Sequence, residues 1–268
     1  MVSFPPCKIN LGLQIINKRA DGYHDLETCF YPVPWTDILE VIKSNSFDFT
    51  SSGDLIPGSP EDNLCVKAYE LLRKNFNLPS VKIHLHKIIP TGAGLGGGSS
   101  DGAYTLRILN SVFDLQLSQD RLMYYAAQLG SDCSFFVQDN PMIGSGRGEV
   151  LAQKGDVLKG KYLALVKPGI HVSTAEAYSG IQPKKPVHSI DFLLQQPVEK
   201  WKFLLKNDFE ETVFGKFPEI KEIKDRLYAQ GALYASMSGT GSAVFGIFDS
   251  EIGLSDFHGM TKWSGLLK

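Results

Sequence analysis

The sequence predicts an α+β protein, and three observations carry that reading. Segments with the period of two of a strand and segments with the period of a helix both occur, without the strict alternation of a parallel α/β sheet. The 268 residues hold 43% apolar and 21% charged side chains, enough for one large core or two ordinary ones. The composition also shifts near residues 155–160, which divides the chain into two lobes, 1–157 and 158–268.

In FPPCKINLGLQII, Cys7, Ile9, Leu11, Leu13 and Ile15 alternate with Lys8, Asn10, Gly12 and Gln14. This is the pattern of a strand with one buried face, and it sets Lys8 beside Asn10 on the other. A polar stretch, DGYHDLET, precedes the strand-like DILEVI. DNLCVKAYELLRKNF places Leu64, Ala68, Leu71 and Leu72 on one side of a helix, with Asp62 or Asn63 as its cap. VKIHLHKII alternates again and runs straight into PTGAGLGGGSSDG.

Beyond that loop, Leu106, Leu109, Val112 and Phe113 share one side of a helix that begins near Ser99. LSQDRLMYYAAQLG is a second helix, with Ser118 before it and Gly130 as its stop. In the C-terminal part YLALVKP reads as a strand and 180–200 as a connection rich in Pro, Lys and Gln. PEIKEIKDRLYAQG is a helix closing at Gly231. LYASMSGTGSAVFGIF is two strands around the turn Ser238-Gly239-Thr240-Gly241.

A formal net charge of −2 gives no broad basic face for nucleic acid or an anionic membrane. Cys7, Cys29, Cys65 and Cys133 lie far apart with no CxxC pair, which points to a reducing compartment instead of a disulfide or zinc framework. The start MVSFPPCKIN has no signal-peptide pattern, and no run of about 18 apolar residues exists to span a membrane. The expectation is a cytoplasmic protein. His84 and His86 point the same way from one strand, but a third ligand at metal spacing is missing, and the pair reads as a half-exposed strand face.

Five of the seven residues from Gly92 to Gly98 are glycine. Ordering glycine costs roughly 0.5–1 kcal/mol more than alanine in regular structure, so the run needs a backbone reason. Strand, glycine loop and helix in that order form an anion site, because a helix N-terminus offers unpaired N–H groups and partial positive charge. A Walker A loop is excluded, since no Gly-Lys leads into Ser or Thr. Gly92-x-Gly94-x-x-Gly97 matches the dinucleotide fingerprint formally. However, its strand carries two histidines, and no strand ending in an acid follows about 20 residues on. A flexible linker fits poorly between two strong elements.

Pro90 to Ser100, PTGAGLGGGSS, resembles the ATP-binding motif of the GHMP kinases, the family of galactokinase, homoserine kinase, mevalonate kinase and phosphomevalonate kinase. PPCKINLGL and SMSGTGSAVFG resemble its other two motifs, in order over nearly the whole chain. At ADGYH (Ala20 to His24) and GSDCSFF (Gly130 to Phe136) the resemblance narrows to a branch that phosphorylates a cytidine diphosphate-linked polyol with ATP. It implies a two-lobed α+β fold, with a ribosomal-protein-like N-terminal lobe and a ferredoxin-like C-terminal lobe.

The resemblance also implies roles. ATP, with Mg²⁺, would lie on Pro90, Gly92, Ala93, Gly94, Leu95, Gly96, Gly97, Gly98, Ser99 and Ser100, and Asn63 would touch the adenine unless it serves only as the helix cap. Asp132, expected at a helix start where the dipole keeps a carboxylate ionised, would orient the attacking hydroxyl and accept its proton; its other reading is a plain helix N-cap. Lys8, by default a solvated strand lysine, would lie beside that aspartate and counter charge on the transferred group. Asn10 would bond the substrate. Tyr23 would stack on cytosine, His24 would bond its edge, and Tyr178, a looser match, would close the other face with Thr174 nearby. The Gly239 turn would offer N–H groups to the substrate diphosphate, where an ordinary hairpin turn is the alternative. The GSGRG loop, 144–148, is given no chemistry, and the motifs assign no metal ligand and no oligomeric state.

Three other functions compete. A homoserine- or mevalonate-type kinase would share the loop but not the cytosine residues. A non-catalytic nucleotide-binding module would not need the Lys8 and Asp132 pair. An RNA-binding protein fits the ribosomal-protein-like lobe but not the acidic balance.

Overall fold

The computed structural model describes residues 1–267. In chain order its elements are β1 (Val2–Ser3), β2 (Pro6–Lys18), β3 (His24–Thr36), β4 (Ile38–Lys43), β5 (Asp48–Gly53), α1 (Leu64–Phe76), β6 (Val81–Lys87), α2 (Gly97–Val112) and α3 (Gln119–Leu129). The remainder are β7 (Met142–Ser145), β8 (Val150–Gln153), β9 (Tyr162–Lys167), α4 (Thr174–Tyr178), α5 (Ile190–Leu193), α6 (Val198–Leu204), α7 (Phe209–Lys216), α8 (Pro218–Ala229), β10 (Tyr234–Met237), β11 (Val244–Phe248) and β12 (Thr261–Leu266).

The chain forms two compact units that interleave in sequence. The first holds Met1–Cys7, Trp35–Thr91 and Gly96–Asp139; the second holds Lys8–Pro34, Gly92–Leu95 and the chain from Asn140 on. A single cut at 157/158 does not describe this division. Most of β2 and β3 and the first residues of the glycine loop pack with the C-terminal elements, because their apolar partners lie there.

In the first unit the sheet order is β1-β4-β6-β5, antiparallel except for the parallel β5–β6 pair. Val81, Ile83 and Leu85 of β6 face a core with Leu39, Val41, Tyr69, Leu72 and Leu109 from β4, α1 and α2. On the other side of β6, His84 pairs with Thr50 and Ser52, and His86 with Ser52, all hydroxyls of β5. The histidines are thus strand-face residues. Among the described residues no group of three His, Cys, Asp or Glu could hold a metal ion.

A buried ion triad braces this unit. The Lys87 ammonium at the end of β6 contacts Asp37, and it reaches Asp101 of α2 at 2.8 Å. The Asp37 carboxylate also accepts the Ile88 and Ile89 amides at 2.6 and 2.8 Å. Burial opposes the lysine's charge, yet the two carboxylates outweigh it and hold its pKa above the ordinary value. Burial raises the Asp101 carboxyl, against the pull of Lys87. Strand end and helix start, the two anchors of the glycine-rich connection, are thereby tied together inside one unit.

The second unit contains the antiparallel sheet β10-β11-β9-β12 and the sheet β2-β3-β7-β8. Ile220, Ile223 and Leu227 of α8 pack into a core with Val166, Ala235, Val244 and, from β2, Leu13 and Ile15. DGYHDLET is not a polar stretch before the next strand; from His24 it belongs to the 13-residue β3. Two prolines, Pro32 and Pro34, mask the strand in sequence, and both lie past the Thr28–Phe30 segment that pairs with β7. β12 lies along β9, where the sequence offered no motif.

Candidate active site

The second unit carries Lys8 and Asn10. Both faces of β2 are buried here: Lys8 is 3% exposed and Asn10 2%. The expected solvent-facing side is therefore absent, and the polar residues must be satisfied internally. Lys8 donates to Asn10 Oδ1 at 2.6 Å and to the Gly94 carbonyl at 3.0 Å, with its ammonium 5.3 Å from the Phe30 ring centroid. Asn10 Nδ2 donates to Thr28 Oγ1 at 3.0 Å, and the Thr28 hydroxyl donates to the Gly12 carbonyl at 2.5 Å. Thr28 thus fixes which way the Asn10 amide points, with its oxygen toward the ammonium. The sequence reading missed Thr28, which sits in the stretch taken as polar.

Two glycine-rich turns meet in this unit. The Ser238 hydroxyl donates to the Gly94 carbonyl at 2.9 Å, and the Ala243 amide donates to the Ala93 carbonyl at 3.1 Å. Gly94 has φ +77°, and a Cβ there would collide with the Ser238 carbonyl oxygen. Its reason to be glycine is close packing of two backbones. Ala93 and Leu95 are buried, so only their main chain is available to a ligand, and Pro90 of the first unit is buried as well.

In the first unit the loop becomes α2 at Gly97, two residues before the expected start near Ser99. Gly96 is the N-cap, with φ +69° and no side-chain cap, which leaves the first amides of a 16-residue helix for an anion. Gly97 packs against Ile89 and the Lys87 ammonium, whereas a Cβ at Gly98 would meet nothing within 4 Å. Of these glycines Gly98 faces open space. The Ser100 hydroxyl is buried without a hydrogen-bond partner in the protein, a donor fit for an oxygen-rich ligand.

This contrast gives a test. Gly98→Ala replaces a helical glycine with a better helix former, worth about 1 kcal/mol, and meets no protein atom. The variant should fold at least as stably as the parent while the KM for ATP rises severalfold. Gly94→Ala adds strain of about 1–2 kcal/mol from φ alone, before the backbone collision, and should lower the urea midpoint clearly.

Asp132 is half-buried in the turn Ser131–Ser134. It is not a cap at a helix start: the following 3₁₀ segment, Phe135–Val137, has Ser134 at its N-cap and is too short for a helix dipole. Its neighbour Cys133 is buried, and the 3₁₀ segment that follows packs against α2. Burial pushes the Cys133 thiol up to about 12, so it stays protonated and inert. Asn63 is the N-cap of α1, its side chain accepting the Cys65 amide at 2.8 Å.

The aromatic residues lie in the second unit. Tyr23 is 57% exposed, with the Arg147 guanidinium 4.9 Å from its ring centroid. The GSGRG loop, assigned no chemistry above, therefore supplies a cation to that ring. His24 stacks on Tyr178, ring centroids 4.8 Å apart and 26° between planes. These two rings touch, so an aromatic ligand between Tyr23 and Tyr178 has to engage the face or edge that His24 leaves open. Thr174 is exposed at the first position of α4, whose Ser173–Glu176 capping box holds it. Gly239 has φ +54°, and Asn207 donates to its carbonyl.

Residues 63–140 match the GHMP kinases N terminal domain, and residues 193–253 match the GHMP kinases C terminal. The chain is 51% identical over 252 residues to a 4-diphosphocytidyl-2-C-methyl-D-erythritol kinase of Cytophaga hutchinsonii, covering 94% of this chain and 93% of that protein. A crystal structure of a 4-(cytidine 5'-diphospho)-2C-methyl-D-erythritol kinase superposes with a TM-score of 0.80 at 32% identity, over 92% of this chain and 90% of that one. The mevalonate kinase of Methanococcus jannaschii shares the fold, with a TM-score of 0.70 at 15% identity over 100% and 98% of the two chains.

Proposed function

The chain belongs to the GHMP kinases and, within them, to the 4-diphosphocytidyl-2-C-methyl-D-erythritol kinases, and from this we infer that it transfers the γ-phosphoryl group of ATP to the 2-hydroxyl of 4-diphosphocytidyl-2-C-methyl-D-erythritol, a step toward isoprenoid precursors. What carries the reading is identity of about half the residues over nearly the full length of proteins bearing that name. Homoserine- and mevalonate-type kinases share the fold at far lower identity.

The reaction is mostly positioning and charge stabilisation, because its transition state is loose. The amides of Gly97 to Ser99 and the open side of Gly98 receive the ATP phosphates, and Pro90 to Leu95 shape the loop. Asn63 caps α1 with its oxygen and keeps its amide nitrogen for the adenine. Mg²⁺ would neutralise phosphate charge here, held by the nucleotide's own oxygens with the Ser99 or Ser100 hydroxyl, since kinases seldom build an all-protein cage for it. Asp132 orients the 2-hydroxyl and takes its proton as the bond to phosphorus forms. Lys8, held by Asn10 and the Gly94 carbonyl, places positive charge for the transferred group. Asn10 also orients the polyol, and the Gly239 turn receives the acceptor's diphosphate.

Tyr23 stacks on cytosine, His24 bonds its edge, and Tyr178 with Thr174 forms the rest of that subsite. Tyr23→Ala should raise the KM for the cytidyl acceptor about 10- to 100-fold, as a lost base stack of roughly 1–3 kcal/mol implies, and leave the KM for ATP unchanged. The reading as a whole is tested by ATP consumption with Mg²⁺ and 4-diphosphocytidyl-2-C-methyl-D-erythritol, mevalonate, homoserine or no acceptor. Turnover with the cytidyl compound alone is the expected result. Turnover with another acceptor would discard the cytosine subsite, and ATP binding without any turnover would leave a nucleotide-binding module.

A further inference from the structure

Asn207 lies outside every motif considered above, in the short connection between α6 and α7. It is 2% exposed, and its side-chain amide is fully engaged. Nδ2 donates to the Met237 carbonyl and to the Gly239 carbonyl, both at 2.8 Å, and Oδ1 accepts the Phe209 amide at 3.0 Å. The backbone on either side is pinned to β2: the Leu13 amide donates to Lys206, and the Asp208 amide donates to Leu13, each at 2.9 Å. One side chain therefore links the strand that carries Lys8 and Asn10 to the glycine turn.

The geometry of the peptide group gives this link a direction. In a trans peptide the C=O and the following N–H point to opposite sides of one rigid plane. Holding the Gly239 carbonyl aims the Thr240 N–H away from Asn207. The same logic applies at Met237, but there the Ser238 amide is already spent on the Ala243 carbonyl at 2.9 Å. The Gly241 amide closes the turn onto the Ser238 carbonyl at 3.0 Å, and within it glycine at φ +54° leaves the 239–240 plane easier to turn without the Asn207 donor.

We propose that Asn207 is a positioning residue that aims the Thr240 N–H at the diphosphate of the acceptor substrate. This rests on the reading that the Gly239 turn receives that diphosphate. A hydrogen bond to a charged oxygen depends on the direction of its donor, so a turn free to rotate would lose most of it.

The experiment compares binding of CDP and of cytidine to the full chain by calorimetry, in the parent and in three variants. Asn207→Ala removes both donors; Asn207 lines a cavity of about 820 Å³, from which water can fill the space its side chain leaves. Asn207→Ser keeps one donor if the alanine variant does not fold. Ser236→Ala removes a buried hydrogen bond to Glu210 in the same strand without touching the turn, and controls for general loosening. The expected result is a loss of CDP affinity of roughly 10- to 100-fold in Asn207→Ala, the size of one charge-assisted bond, with cytidine unchanged and Ser236→Ala like the parent. Equal behaviour of Asn207→Ala and Ser236→Ala would overturn the proposal. A Gly239→Val variant that keeps the full preference for CDP over cytidine would instead remove the diphosphate from this turn, and the underlying reading with it.

Discussion

Asp132→Asn should lower kcat by about 10²–10⁴, the usual contribution of a positioned general base, and leave the affinity for ATP intact. The substitution keeps shape and deletes the acceptor of the hydroxyl proton. Asp132 lies half-buried in a turn whose neighbours Cys133 and Ser134 are buried, and asparagine keeps its size and polarity there. Loss of turnover with a normal melting temperature and normal ATP titration is therefore expected. An unchanged kcat would remove Asp132 from the chemistry.

Lys8→Met should lower kcat by about 10²–10³, the scale of losing one preorganised electrostatic group. Methionine fills much the same volume among Asn10, Phe30 and the loop, so the comparison is one of charge. Gly94 keeps its Ser238 donor, and Asn10 keeps Thr28. Lys8→Arg should not restore the rate, because a planar fork does not fit a site built around a compact ammonium. A methionine variant with parental kcat would show that the lysine serves packing alone.

Much of the site was legible because backbone chemistry writes itself into residue type. The dense glycines of 92–98, the Gly-Thr-Gly turn at 239–241 and the Asn63 and Ser118 caps all stand for conformations that few residues adopt. Long-range partnerships left no such mark. Nothing near Lys8 in sequence announces that both faces of β2 are covered, since the covering residues come from positions as distant as Ser238. The glycines also looked alike in sequence, while in space Gly94 answers to a neighbouring carbonyl, Gly97 to Ile89 and the Lys87 ammonium, and Gly98 to open space. The Asp37–Lys87–Asp101 triad was invisible for the same reason: its members are separated by 50 and 14 positions. Arg147 over Tyr23 and His24 on Tyr178 likewise depend on loops whose mutual placement periodicity cannot give.

The interleaving of the two units bears on the order in which the protein can be made. Leu13 bridges to Asn207, so the strand carrying Lys8 leaves the ribosome 194 residues ahead of a partner it needs. At about 5–20 residues per second that is a wait of roughly 10–40 s. During it a strand buried on both faces in the finished protein, with a lysine destined for burial, lacks its C-terminal neighbours. The first unit, whose last residue is Asp139, can close earlier, although its two ends of the glycine loop must already be held for the second. Vectorial synthesis thus lets the first unit close first and leaves β2 waiting for its C-terminal partners.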